Sequence, residues 1–392
     1  KSRENDAVFW YIKNSRINRS LVAERKTYIF AGGGTGGHLY PAIAIAQQIK
    51  EDRPDAHIRF VGTVRGLENR VIPELGFPLS RIAVRGMVRS LTLKNLLVPF
   101  VLIYSLLQCL VLLLKHKPNA VIGTGGYVSG PVLFVASLLR IPTLIQEQNS
   151  TPGATTRLLS RVVKRVHISF ETSRRYFKNQ DKLLLTGNPV RKFNLSKSRE
   201  LACSAFGLQA NRPVLLIFGG SQGAHAVNQI IVELMPRIMD DSFLQIIWST
   251  GRHDIEMVQQ AVHSYADRIW VSAFIFDMES AYSAADIAIA RAGALTIAEL
   301  TLAGLPAILV PYPYAAGNHQ ETNARALADK GACSLVLQSE LTADTLEKEL
   351  MNLLDDDIKR AAMARAAAQS AFPTATEDIV KSIYAIERGV SQ

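Results

Sequence analysis

From residue 27 onward, short continuous apolar runs alternate with longer stretches whose apolar residues recur at helical spacing. TYIFAG (27–32) reads as a strand and HLYPAIAIAQQIKED (38–52) as a helix. HIRFVGT, NAVIGTGG, PTLIQEQN and VVKRVHISF read as further strands, with helices through PVLFVASLLR and around 153–162. The pattern restarts with RPVLLIFGGSQGAHAVNQIIVELMPRI (212–238): strand, glycine turn, helix. QIIWSTG, RIWVSAF, DIAIARAG and PAILVPYP follow as strand candidates. Apolar strands separated by helices imply parallel sheets with right-handed crossovers. The expected fold class is therefore α/β, with two Rossmann-like doubly wound domains over 27–191 and 213–367, joined by a polar linker at 192–212. Ligands of such sheets bind beyond the carboxyl ends of the strands, so the site is expected in the cleft between the domains. Residues 1–26 are polar and basic, unlike a signal peptide, and stand apart as an extension of unknown role.

One segment breaks the pattern. Residues 96–114, LLVPFVLIYSLLQCLVLLL, run nineteen positions without a charge, about the length that spans a bilayer. Arg81, Arg85, Arg89 and Lys94 precede it, and Lys115 and Lys117 follow. Tyr104, Ser105, Gln108 and Cys109 make a more polar stripe, and a membrane span here would split one expected sheet. Two readings remain. The segment is a crossover helix whose apolar end and basic rim touch a membrane surface, or it is core.

Charge supports the first. Residues 1–191 hold 28 Lys+Arg against 11 Asp+Glu, whereas 192–392 hold 16 against 23. The basic half suits an anionic surface, either nucleic acid or membrane. Cys109, Cys203 and Cys333 form no C-x-x-C pair, which argues against zinc knuckles and disulfide frameworks and for a reduced, cytoplasmic setting.

Three glycine clusters follow strands: 32–37, 123–126 and 219–223. Glycine lets backbone N–H groups approach a ligand, and a helix start favours anions. Gly32, Gly34 and Gly37 satisfy G-x-G-x-x-G, but a dinucleotide site also wants an acid ending the second strand. That strand ends Phe60-Val61-Gly62-Thr63, and the nearest acid, Glu68, lies beyond another glycine. A phosphorylated ligand other than a nicotinamide dinucleotide is expected. In ARAGALTIAEL, Thr296-x-x-Glu299 is formally a capping box. Glu299 either caps its own helix or accepts both hydroxyls of a ribose whose diphosphate meets the helix start.

GGGTGGHLYPA, GTGGYVSGP, QEQNSTPG, GNPVR, GGSQGA, ARAGALTIAEL and NHQETNA occur in this order. Over about residues 27–390 the chain resembles the bacterial MurG family, the β-N-acetylglucosaminyltransferases that convert undecaprenyl-diphospho-N-acetylmuramoyl-pentapeptide (lipid I) to lipid II in peptidoglycan synthesis. The resemblance implies a B-type glycosyltransferase fold with an N-terminal acceptor domain and a C-terminal UDP-N-acetylglucosamine domain. It also implies a last helix (about 368–392) returning to the first domain, and a peripheral place on the cytoplasmic face of the inner membrane, alongside cell-wall and division machinery. By motif it places Thr35, Gly36 and Gly37 beside the diphosphates and Asn149, Arg191 and Ser221 on the donor. Ile275 falls at the uracil, the segment Ala294, Leu295, Thr296, Ile297, Ala298 and Glu299 at diphosphate and ribose, and Gln320 at the sugar hydroxyls. Thr155 and Thr156 stand near a place where the family pattern has an asparagine.

The implied reaction is an inverting displacement, which needs a base for the acceptor hydroxyl and charge stabilisation for the leaving UDP. His38 is the leading base, since a helix start favours neutral imidazole; alternatively it satisfies the loop backbone. Glu147 is the other candidate, as base or as orienter of His38, unless it is a buried carboxylate bonded to loop amides. No D-x-D site ends a strand, so no essential metal is expected and Mg²⁺ is at most stimulatory. A UDP-sugar 2-epimerase, an oxidoreductase and a non-enzymatic scaffold are the competing readings. Nucleic acid is disfavoured because the basic stretches lack clustered aromatics.

Overall fold

The structure, a computed structural model, describes residues 25–84, 98–191, 197–220, 222–240 and 243–389. Residues 1–24, Arg85, Arg89, Lys94, the linker residues 192–196 and Ser221 lie outside the described residues.

The first domain contains β1 (Thr27–Gly32), β2 (His57–Gly62), β3 (Leu79–Arg81), β4 (Ala120–Gly125), β5 (Thr143–Glu147), β6 (Arg165–Ile168) and β7 (Leu183–Leu185). They form one parallel sheet in the order β3-β2-β1-β4-β5-β6-β7. The second domain contains β8 (Val214–Phe218), β9 (Gln245–Ser249), β10 (Ile269–Ser272), β11 (Ile287–Ala290), β12 (Ala307–Leu309) and β13 (Ser334–Leu335). Their order, again all parallel, is β10-β9-β8-β11-β12-β13. Strand order therefore reverses between β1 and β4 in one sheet and between β8 and β11 in the other. Each reversal leaves a crevice where the following loops diverge. The uninterrupted apolar runs are explained by burial on both faces: β4, β5 and β8 are buried along their whole length.

On one face of the first sheet, Ile45 and Ile49 of the helix Gly36–Asp52 pack with Ile379 and Ile383 of the last helix, Ala375–Glu387. Full burial of each such side chain contributes about 1.5–3 kcal/mol. Glu387 fastens the same helix: Tyr28 donates to it at 2.8 Å, and Arg53 and Lys26 approach at 2.9 and 3.3 Å. The preceding helix, Asp357–Gln369, instead packs Met363 and Ala367 into the second domain's cores. The crossing thus falls at 370–374.

One expectation needs correction. Residues 198–212 are not linker. The helix Arg199–Ser204 buries Ala202 and Cys203 in the second domain, and Arg199 pairs with Asp286 at 2.7 Å. Apolar positions 201–206 carry too short a period to stand out in a polar stretch.

The apolar segment forms the helix Val98–His116, between the strands β3 and β4. Three of its four more polar residues face the protein: Ser105 and Cys109 are each 1% exposed, and Gln108 accepts the N–H of Ala83 at 2.8 Å, whereas Tyr104 is exposed. Phe100, Ile103, Leu107, Val111 and Leu114 are exposed. The helix is core on one side only: Cys109 and Leu113 join the first domain's core, and the outward side exposes a row of apolar residues.

Candidate active site at the two switch points

The loop after β1 and the loop after β4 meet beside the first reversal. Thr35 holds extended backbone before the helix Gly36–Asp52, and its carbonyl accepts from the N–H groups of His38 and Leu39 at 3.2 and 3.1 Å. No acid occupies the first turn, so the helix's positive end at Gly36 and Gly37 is unopposed. The His38 ring lies against the β4 loop. Gly125 has φ +106°, and a Cβ there would stand 2.5 Å from His38 Nδ1, so only glycine permits this approach. Thr124 locks the loops together by donating to the His38 carbonyl at 2.7 Å.

His38 Nδ1 lies 2.9 Å from Gln148 Oε1. The Gln148 amide nitrogen donates to the carbonyls of Thr124 (2.8 Å) and Gln146 (3.1 Å), which orients the side chain and leaves Oε1 as an acceptor. Nδ1 therefore carries the proton, and Nε2 keeps the lone pair a base needs. The ring's partner is Gln148, a residue that sequence reasoning passed over, and not Glu147. Glu147 turns to its own loop, accepting from the N–H groups of Asn149 (3.1 Å) and Gly153 (3.3 Å). Burial pushes its carboxyl above the usual range, against the opposing pull of the Asn149 N–H, the Thr156 hydroxyl and His38. Thr156, one of the two threonines near the place where the family pattern has an asparagine, thus serves the Glu147 carboxyl.

Glu68, weighed in the sequence only as a ribose ligand, has another role. It is 1% exposed and accepts from Gly34 N–H (2.9 Å), Thr63 N–H (2.8 Å) and Thr63 hydroxyl (3.0 Å). Burial alone would raise its pKa, but the Gly34 and Thr63 bonds outweigh it and hold the carboxylate below the usual range. The one acid near the end of β2 is therefore committed to bracing the glycine loop rather than to a ribose.

At the second reversal, Gly293 precedes the helix Ala294–Ala303, again without an acid in its first turn. No side chain caps this helix, so the capping-box reading fails. Glu299 instead accepts from the Tyr282 hydroxyl at 2.8 Å. Burial pushes its carboxyl up, opposed by that hydrogen bond and by the charge of Arg191. Glu299 and Arg191 thus share one neighbourhood beside Ala294, Leu295, Thr296, Ile297 and Ala298. Gln320 accepts the N–H of Tyr312 at 2.9 Å. Ile275 is buried between exposed Phe274 and Phe276 in the loop after β10.

Amides join the two crevices. Asn188, within GNPVR, donates to the carbonyls of Gln148 (3.1 Å) and Ala294 (3.3 Å), one from each domain. Buried Asn323 accepts from the N–H and hydroxyl of Ser150, each at 2.8 Å, and donates to Asn149 at 3.2 Å. A chain of hydrogen bonds thus runs from His38 through Gln148 to the helix start at Ala294.

Residues 28–168 match the glycosyltransferase family 28 N-terminal domain, and 214–379 match the glycosyltransferase family 28 C-terminal domain. The chain is 43% identical over 356 residues to the UDP-N-acetylglucosamine–N-acetylmuramyl-(pentapeptide) pyrophosphoryl-undecaprenol N-acetylglucosamine transferase of Acetivibrio thermocellus, covering 91% of this chain and 96% of that protein. A protein of the same description from Chlorobaculum parvum is 41% identical, with 92% and 99% covered. Among solved structures, MurG of Acinetobacter baumannii superposes with a TM-score of 0.74 at 34% identity, covering 92% of this chain and 99% of that one. The UDP-GlcNAc 2-epimerase of Neisseria meningitidis shares the fold, with a TM-score of 0.64 at 16% identity over 92% of this chain and 100% of that one.

Proposed function

The chain belongs to glycosyltransferase family 28, and on that premise we propose how its residues divide the work of making lipid II. The enzyme moves N-acetylglucosamine from UDP-N-acetylglucosamine to undecaprenyl-diphospho-N-acetylmuramoyl-pentapeptide, lipid I. His38 Nε2 takes the proton of the acceptor's 4-hydroxyl as that oxygen attacks the anomeric carbon. The bond to UDP breaks, the diphosphate keeps the electron pair, and the anomeric centre inverts to a β-1,4 link. The N–H groups at Gly36–Gly37 and Ala294–Thr296, with Arg191, meet the diphosphate charge. Glu299, aimed by Tyr282, accepts the ribose hydroxyls; Ile275 lies at the uracil, Gln320 at the sugar hydroxyls, and Asn149 on the donor. No step is assigned to a metal, so turnover should survive EDTA.

The observation that carries this reading is the His38–Gln148 bond at 2.9 Å, which fixes an acceptor nitrogen at the first crevice while Asn188 ties that crevice to the second. The test is UDP release from UDP-N-acetylglucosamine with and without a short-chain lipid I analogue. Release that requires the analogue and yields a new disaccharide supports the reading. Conversion of the donor to its 2-epimer without release would replace it.

The outward apolar face of Val98–His116, flanked in sequence by Arg81, Lys115 and Lys117 within a basic first half, supports docking of the acceptor domain on an anionic membrane surface. A lipid-linked acceptor makes such docking productive, because enzyme and substrate then meet in the same plane.

A further inference from the structure

We propose that His225, His253 and Asp254 form a binding site for a divalent transition-metal ion of the zinc class. His225 opens the helix His225–Met239, whereas His253 and Asp254 sit before the helix Ile255–Ala261, so separate segments supply the imidazoles. Both Nδ1 atoms lie 2.7 Å from the same oxygen, Asp254 Oδ1. One ligand atom from each residue falls within 4.8 Å of the others. Ligands at about 2.0–2.1 Å from tetrahedral zinc stand roughly 3.3 Å apart, so small rotations of two exposed rings open the trio around an ion. The rings meet edge to face, with centroids 5.4 Å apart.

The carboxylate is supported from behind as a ligand would be. Asp254 is 3% exposed, and Asn228 donates to its Oδ2 at 2.7 Å. Asn228 also donates to the Thr250 carbonyl at 2.8 Å and accepts from Trp248 at 3.1 Å, so its orientation is fixed. Such outer partners set the aim of metal ligands. Two imidazoles and one carboxylate suit zinc, nickel or cobalt, whereas magnesium and calcium prefer oxygen ligands. The side chains of His225 and His253 are 54% and 83% exposed, which leaves the remaining coordination positions to solvent. Metal and transfer chemistry are independent here, since no residue of the trio belongs to the proposed base or donor contacts.

The test is calorimetric titration of ZnCl₂ into the full-length chain after EDTA treatment and desalting. One zinc per chain is expected, with affinity reduced at least about tenfold in His253→Ala and in His225→Ala, and no displacement by excess Mg²⁺. Cobalt should give a visible ligand-field band that the variants lose. His253 is exposed, so its variant should melt as the parent does. Unchanged zinc affinity in the His225→Ala/His253→Ala double variant, absence of a saturable 1:1 phase, or equal competition by Mg²⁺ would overturn the site.

Discussion

Gln148 offers a direct test of the catalytic geometry. Replacing it by leucine keeps the approximate volume but removes the acceptor that holds His38 Nδ1 at 2.9 Å. In the transition state the imidazole gains a proton, and this hydrogen bond becomes charge-assisted, worth about 1.5–3 kcal/mol. At about 1.4 kcal/mol per decade, kcat should fall roughly 10- to 150-fold. The KM for UDP-N-acetylglucosamine should change little, because Gln148 contacts no proposed donor group. Stability must be measured separately. The Thr124 and Gln146 carbonyls lose their Gln148 donor, and each buried carbonyl left unpaired costs about 1–3 kcal/mol. His38→Ala should lose the whole contribution of a general base, about 10²–10⁴-fold. The decisive measurement is the double variant in single-turnover UDP release. If Gln148 acts through His38, adding Gln148→Leu to His38→Ala costs nothing further. Multiplicative losses, or full turnover by His38→Ala, would refute the assignment.

Glu299→Ala should raise the KM for UDP-N-acetylglucosamine roughly 10- to 150-fold with a smaller effect on kcat, as expected for lost hydrogen bonds to a charged group; an unchanged KM would remove the ribose role. Glu68→Gln should lower the melting temperature at pH 7, since an amide cannot accept from Gly34 and Thr63 as a carboxylate does. Because the folded pKa of Glu68 lies below its unfolded value, its contribution is present above about pH 4.3 and is lost as pH falls through the folded value. The parent and variant melting curves should therefore converge in acid; a gap that widens there contradicts the bracing role. Leu107→Glu/Val111→Glu should abolish sedimentation with anionic vesicles while leaving UDP binding intact, and unchanged sedimentation would place membrane contact elsewhere.

Much of the fold was legible because parallel strands buried on both faces leave unbroken apolar runs between glycine turns. The edge strands β3, β7 and β13 were not, since two or three residues carry no period. His38 stood out through its glycines, but its partner did not. QEQN presents polar residues in succession, and alternation along a strand groups Gln146 with Gln148 while turning Glu147 away. Nothing in the sequence says which face looks at His38. Glu68 was weighed only as a ribose ligand, because a carboxylate that reaches back under a glycine loop depends on the turn at 63–67. Asn188 and Asn323 act across the domain boundary, a relation that neither domain's own pattern contains. The sequence left the helix 98–116 open between a membrane-touching crossover and core, because a run without charges does not say which face is covered; Ser105 and Cys109 are buried while Phe100, Ile103, Leu107, Val111 and Leu114 are left outside.

The use of amides between the domains bears on how the enzyme works. A buried ion pair across the boundary would cost several kcal/mol of desolvation per ion on closing. Neutral hydrogen bonds contribute only about 0.5–1.5 kcal/mol each, so the contacts of Asn188 and Asn323 can part and re-form cheaply. They are nonetheless directional: Asn188 must find the Gln148 and Ala294 carbonyls together. In this arrangement the segment that orients His38 is held in one register with the helix start proposed to hold the diphosphate. Weak but geometrically exacting contacts suit a two-substrate transferase. The crevice must admit a nucleotide sugar and release UDP, yet hold base and anomeric carbon to sub-ångström alignment during the displacement.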